Sequence, residues 1–342
     1  MLPDGHEGIE RDERKYIALM GNHIKNLDQT YVEASEAGPF SNLERTFAVD
    51  ETFPNVFHYM DQAIYAAAKE KCIGVFLSGY GGDFIVSGKG NEVIYELTKQ
   101  FRLGEAMRLL QQLKHHEERR YFALFKSELF RHTAMGKFLI SYRNRKKTDW
   151  QRFSMLDQEF YSRHKQHIVI DDISHPVLYM LDYINSGRMG RVMSMWANRS
   201  GAYQMDTGAP MFGKAINEFM FDVPIEQYLK GGSRRSLIRR AMEGILPPEI
   251  QRRNDKQPYT PDFHARIIKG KHIIDAILNV TSYNFAWKYI DKGQIVHHLD
   301  GIKPVTGMGD WMTNGGNRVV QGIIAVCFLQ WLKKNNYINM AD

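Results

Sequence analysis

The sequence predicts an α/β protein: a parallel-sheet portion over residues 1–104, followed by a mainly helical portion over residues 105–342. Three observations carry this. Residues 73–77 (Ile-Gly-Val-Phe-Leu) form a short, nearly all-apolar run that ends in the glycine-rich turn Ser78-Gly79-Tyr80-Gly81-Gly82-Asp83, the pattern of a buried parallel strand and the loop at its carboxyl end. Helical and extended patterns alternate before it, as in a parallel sheet. After Gly90 the apolar residues recur at helical spacing almost to the end.

The elements follow in order. Tyr16, Ile17, Met20 and Ile24 share one helical face, with Asp12 and Glu13 suited to the positive end of its dipole. Residues 29–32 read as a strand, and residues 34–51 as a turn-rich segment around Gly38-Pro39, closed by Phe53-Pro54. Phe57, Met60, Ile64 and Ala67 or Ala68 then line a helix that feeds the strand at Ile73. Asn91 is placed to cap a helix running to Phe101; Leu103-Gly104 breaks it, and Met107, Leu109, Leu110 and Leu113 mark its successor. Charged loops join further helices to about Leu181. Residues 189–203, with Met193, Met195, Trp196 and Tyr203, predict a core helix, and Thr207-Gly208-Ala209-Pro210 a turn before the helix at 216–221.

The chain has 342 residues, 43% hydrophobic and 25% charged, enough for a large core and ordinary for a soluble protein. Cys72 and Cys327 are too few for a disulfide framework and read as small buried apolar residues of a reducing compartment. No amino-terminal signal pattern occurs, and the apolar helix near 319–332 is too short and too interrupted by Gln321 and Gln330 to span a bilayer. The expectation is a cytoplasmic protein without membrane or nucleic-acid partners. The net charge of +6 is concentrated in two places: Arg143, Arg145, Lys146 and Lys147, read as a solvated loop, and the arginine-rich stretch from Arg234 to Lys256. His115-His116 and His297-His298 are adjacent pairs and do not share a helix face, so they offer no metal-ligand spacing.

The turn after residue 77 carries the candidate chemistry. Gly79, Gly81 and Gly82 lack Cβ atoms and accept φ > 0, so their N–H groups suit a phosphate or carboxylate, and Asp83 sets a carboxylate where magnesium on a polyphosphate needs one. The same residues also fit a plain strand and tight turn, with Asp83 capping a helix.

Ser78-Gly79-Tyr80-Gly81-Gly82-Asp83, followed by Gly88, resembles the Leu-Ser-Gly-x-Gly-x-Asp-Glu signature of the asparagine synthetase family. Downstream, Arg234-Arg235-Ser236-Leu237-Ile238-Arg239-Arg240, Leu246-Pro247 and Arg252-Arg253-Asn254-Asp255-Lys256-Gln257-Pro258-Tyr259 are similar to its Lys/Arg-x-x-Leu-Arg, Leu-Pro and Arg-x-Lys-x-Phe series, in order. The resemblance implies an ATP-pyrophosphatase-like core that adenylates a carboxylate with ATP and Mg2+, after which an amine displaces AMP to give an amide. It assigns Ser78, Gly79, Gly81, Gly82, Arg235 and Arg239 to ATP, Asp83 to magnesium, and Lys256 to the charge on pyrophosphate or on the later intermediate. Tyr80 stands where ammonia-using members carry Glu, and Phe84 replaces the acid after Asp83. The tyrosine resembles the β-lactam synthetase branch, in which a Tyr with a Glu serves as base for an internal amine, and the Arg252-Arg253-Asn254-Asp255-Lys256-Gln257-Pro258-Tyr259 region is similar to that of lasso-peptide cyclases. Glu117 and Glu118 are candidates for that Glu.

Other departures are plain. Residues 206–213 follow the family's Glu-x-Arg-x-Pro-Phe-Leu-Asp only loosely, with Gly208 and Gly213 replacing Arg and Asp. The pyrophosphate-binding Ser-Gly-Gly-x-Asp-Ser has no counterpart, and neither has the glutaminase domain with its nucleophilic cysteine, since Leu2 follows Met1. The resemblance begins near Glu10. The expectations are therefore a synthetase domain lacking its first strand and loop, either because the reading frame is truncated at its amino terminus or because another chain supplies the loop, or else a catalytically silent remnant that binds a peptide or partner.

Overall fold

The computed structural model describes residues 12–83, 85–144, 155–164, 176–254, 257, 259–303 and 315–338. Helices make up most of them. The largest core is built on the helix Gly316–Lys334, whose Val319, Val320, Ile323, Ile324 and Val326 are buried. Against it pack Phe47 of the helix Leu43–Asp50, Phe263 and Ile267 of Phe263–Lys269, Ile274 and Ile277 of Lys271–Asn279, and Ile295 and Leu299 of Lys292–Asp300. Close approach depends on Gly322, because a Cβ there would lie 2.9 Å from Ile295 and 3.0 Å from Met155. Two smaller cores complete the packing. Val93, Ile94 and Leu97 of Val93–Lys99 meet Leu110 and Leu113 of Leu103–Glu117, while Ile85, Met180, Met220 and Tyr228 close around the turn that follows residue 83.

The parallel pairing expected at residues 73–77 is present, but it is small. Strand β1 (Val75–Leu77) pairs in parallel with β2 (Asp206–Gly208), in the register Val75–Asp206, Phe76–Thr207 and Leu77–Gly208. The expectation that β1 is buried is overturned: Val75 is 57% and Leu77 66% exposed. Apolar composition implies burial only where a neighbour covers the strand, and among the described residues β1 has β2 on one edge alone. A second, antiparallel pair joins β3 (Leu229–Lys230) to β4 (Ser233–Arg234) through Gly231 and Gly232, at φ 62° and 76°. Two consecutive positive φ values make the two-residue turn that matches strand twist.

Other sequence expectations are corrected. Residues 29–32 form no strand, and residues 34–51 contain the helix Leu43–Asp50. Asp206-Thr207-Gly208, read partly as turn, is β2: its low strand propensity is overridden by hydrogen bonds such as Ser78 N–H to the Gly208 carbonyl at 2.8 Å. The break placed at Leu103-Gly104 falls two or three residues late: the helix Val93–Lys99 ends before it, and the helix Leu103–Glu117 already begins there. Cys72 is exposed, at φ 57° in the tight turn into β1. Cys327 is half-buried, and burial pushes its thiol up to about 12. Arg145, Lys146 and Lys147 lie outside the described residues.

The helix read from its methionines, Arg188–Ala202, holds the centre of the polar framework instead. Buried Arg199 donates from Nε and Nη2 to Asp50 at 2.7 and 2.6 Å, and from Nη1 to Asp61 at 2.5 Å. Burial raises both carboxyls above their usual range, against the pull of the guanidinium. Arg199→Met would leave buried Asp50 and half-buried Asp61 without their cation, and a loss of about 3 kcal/mol in urea unfolding is expected; a change below about 1 kcal/mol would show the cluster to be dispensable.

His58 is fully buried, its Nε2–H donating to the Pro39 carbonyl at 3.0 Å, and burial pulls its pKa down to about 4. The folded value lies below the unfolded one, so this histidine's contribution, on the order of 3 kcal/mol, is complete above about pH 6.5 and lost as pH falls through about 4. The urea midpoint should fall across that window, and less steeply in His58→Gln; equal slopes would remove His58 from the cause.

Candidate active site

The turn Ser78–Asp83 projects from the carboxyl end of β1. Gly81 sits at φ 92°, and a Cβ there would lie 3.0 Å from the Phe212 ring, so backbone conformation and packing both require glycine. The turn satisfies several of its own donors. Tyr80 N–H goes to Ser78 Oγ at 3.2 Å, and Gly82 N–H to the Gly79 carbonyl at 3.2 Å. Gly82 and Gly81 carbonyls accept in turn from Ser87 and Ile85 N–H at 2.8 and 2.9 Å. The expected cradle of converging N–H groups is thus partly closed on itself.

Guanidinium groups stand nearby instead. A cleft of about 1090 Å³ is lined by eight cationic side chains and four carboxylates. Asp83 lies at its rim, 3.2 Å from Arg235 Nη1, which also donates to Ser87 Oγ at 3.0 Å. Arg235 directly follows β4 and holds φ 57°, a left-handed conformation unusual for arginine. Arg239, a turn further along the helix Ser236–Ala241, donates from Nη2 to the Arg253 carbonyl and to Asn254 Oδ1, both at 2.7 Å. Burial, and then the charge of Arg235, hold Arg239 below the usual arginine value. Cations crowded against one another in a cleft fit a polyanion.

The deep wall is organised by Arg234, which donates to Glu117 from Nε, to Asn91 Oδ1 at 2.8 Å and to Glu128 Oε1 at 2.8 Å. Glu117 also accepts from Arg119 at 3.2 Å. Burial, despite a hydrogen bond from its own backbone N–H and helped by the charge of Glu128, pushes neighbouring Glu92 up to about 7. Asn91, expected as a helix cap, is instead a ligand of Arg234; Glu92 holds the cap position.

Asp83, Arg235 and Arg239 therefore meet in one cleft, while Ser78, Gly79, Tyr80, Gly81 and Gly82 lie outside its lining. Tyr80 faces an aromatic group: its ring is 4.8 Å from Trp196 and 5.7 Å from Phe212, and its hydroxyl is 2.5 Å from that of Tyr183. Glu117 is held by arginines, and the partner found for the Tyr80 phenol is another phenol. Lys256 lies outside the described residues, although Arg252, Arg253 and Asn254 just before it line the cleft. Arg234 and Glu128 were not singled out individually from sequence. A two-glycine hairpin, Leu229-Lys230-Gly231-Gly232-Ser233-Arg234, was the available signal for where Arg234 points.

The cleft's lining, eight cations against four carboxylates with Asp83 among them, is chemically suited to an anion. The sequence model of the asparagine synthase family matches residues 5–304, and the chain belongs to that family. Its members are ATP-using amidating ligases, whose substrates are a carboxylate and an amine or ammonia. Neither a curated protein nor a solved structure matches the chain. Among the described residues no helix is long and apolar enough to cross a membrane, and no cluster of three or more His, Cys, Asp or Glu side chains offers a metal cage.

Arg234→Met would strand Glu128, which is 3% exposed, beside Glu117. A loss of about 3 kcal/mol in urea unfolding is expected, with partial recovery on adding Glu128→Gln; additive losses in the double variant would show that the two side chains are not coupled.

Proposed function

We propose that this chain is the synthetase domain of an ATP-dependent amide-forming enzyme, working on a carboxylate and an amine carried by the substrate, as lactam and macrolactam cyclases do. The observation that carries the reading is the meeting of Asp83 with Arg235 at the mouth of the guanidinium-lined cleft. In the reaction, the carboxylate attacks the α-phosphorus of ATP, pyrophosphate leaves, and the amine then displaces AMP from the acyl group. Arg235 and Arg239 hold polyphosphate and offset the charge that develops on it. Asp83 is the residue that would hold magnesium, which would supply further neutralisation of phosphate charge. Ser78, Gly79, Gly81 and Gly82, which lie beside the cleft and not in its lining, serve the nucleotide by carrying Asp83 to it, and Lys256 serves the pyrophosphate and the later tetrahedral adduct.

The rings around Tyr80 favour a substrate-borne amine over ammonia. Trp196, Phe212 and Tyr183 make an apolar wall suited to a larger substrate. Tyr80 takes the amine's proton. β1 and β2 are read as part of an ATP-pyrophosphatase-like sheet, with residues 1–104 and 105–342 acting as one domain in the cytoplasm. The family's Ser-Gly-Gly-x-Asp-Ser loop has no counterpart in residues 1–342, and among the described residues the edge of β1 away from β2 offers another chain a place to add the strand that carries it. A catalytically silent module that binds a peptide or partner is the second reading.

Two measurements separate these readings. Calorimetry on residues 1–342 should give weak, magnesium-dependent ATP binding that Asp83→Asn and Arg235→Ala abolish; tight binding would remove the need for a partner loop. With the loop supplied, carboxylate-dependent exchange of pyrophosphate into ATP should persist in Tyr80→Phe, while amide formation slows about 100-fold or more. Absence of exchange in the unmodified chain under those conditions would favour the silent module.

A further inference from the structure

The phenol pair Tyr80–Tyr183 joins a turn after β1 to the helix Pro176–Asn185, 103 residues away in sequence, with the two oxygens 2.5 Å apart. At that separation one hydroxyl donates and the other accepts. Tyr183 is 7% exposed, stacked on Phe212 at 6.4 Å and 9° and on Tyr179 at 6.2 Å and 16°. Tyr80 is only half-buried. A negative charge on the more buried oxygen would be the costlier of the two.

The cations near Tyr183 pull the other way and have to be weighed. Arg188 lies over the Tyr183 ring, 5.1 Å from its centre, and the charge of Arg191 also acts on it. Arg188, however, is ion-paired with Asp182, whose opposite charge offsets part of its field at Tyr183. Burial, then the hydrogen bond with Tyr80, raise Tyr183 well above the ordinary tyrosine value despite both arginines.

We propose that Tyr183 is the positioning residue for Tyr80, its hydroxyl donating to the Tyr80 oxygen so that Tyr80 is the phenol that ionises and accepts the proton of the attacking amine. The inference rests on the amide-forming reading for the role of that proton, and on the 2.5 Å contact and unequal burial for the pair itself. As the carbon–nitrogen bond forms, a proton passes from the amine to the Tyr80 phenolate. Collapse of the tetrahedral adduct then breaks the bond to AMP, and the electron pair leaves on the phosphate oxygen. Half-buried Tyr80 returns its proton to solvent. Tyr183 keeps its own throughout: its donated hydrogen bond fixes the ring and favours the Tyr80 phenolate, where a carboxylate could only accept from the phenol. Trp196 and Phe212 hold the Tyr80 ring from its other sides.

The test is a pH titration of the full chain carrying ring-labelled tyrosine, read by carbon NMR, with the Tyr80 signal assigned through Tyr80→Phe. No substrate or nucleotide is present, so the result stands whether or not amide formation proves to be the activity, and absence of pyrophosphate exchange would sink that reading alone. Tyr80 is expected to ionise first in the unmodified chain. In Tyr183→Phe its midpoint should rise by about one pH unit or more, the loss of one hydrogen bond to a charged oxygen. Ionisation of Tyr183 before Tyr80 would overturn the proposal, and so would an unchanged or lowered Tyr80 midpoint in Tyr183→Phe. The order of ionisation needs no Tyr183 variant, so the test survives even if that variant folds poorly.

Discussion

The architecture turns on one dry cation. Arg199 is withdrawn from water and is held there only because Asp50 and Asp61, from two other helices, meet its guanidinium. The desolvation of three charges is offset only with the fork-shaped geometry in place, so the three helices have essentially one relative placement. That placement reaches the candidate site along the chain. The same helix carries Trp196 against Tyr80 and runs, three residues after its end, into β2, the strand that fixes β1 and its turn. Remote polar packing thus sets the position of the proposed base.

What could be read from the sequence was local. The turn after residue 77 and the arginine series both announced themselves by residue type at fixed spacing, and Asp83, Arg235 and Arg239 do share a cleft. Arg199 was hidden because an arginine on a methionine-bearing helix looks like its solvated edge; only the distant Asp50 and Asp61 make it a core residue. β2 was hidden because Asp-Thr-Gly has no strand signal of its own and is extended by its pairing with β1. Tyr183 was invisible for the same reason: nothing within ten residues of Tyr80 points to it. Exposure of β1 was misjudged because hydrophobicity describes a residue's preference, whereas burial depends on which neighbours exist.

The division of labour in the cleft is also physical. The glycine turn spends two of its N–H donors, those of Tyr80 and Gly82, on itself, so in the proposed reaction the grip on an anion falls to guanidinium side chains. Side chains on flexible stems can follow a ligand that changes charge and shape during a two-step reaction, where a rigid backbone cradle fits one state best. They need anchoring in return, and the Arg253 carbonyl, Asn254 and Ser87 provide it.

The left-handed backbone at Arg235 gives that position an evolutionary bias. Such a conformation costs an arginine roughly 1 kcal/mol that glycine or asparagine avoids. Random drift there runs downhill, toward residues that relax the chain and discard the charge. Lineages freed from the demand on this guanidinium should therefore lose the residue sooner than its unstrained neighbours.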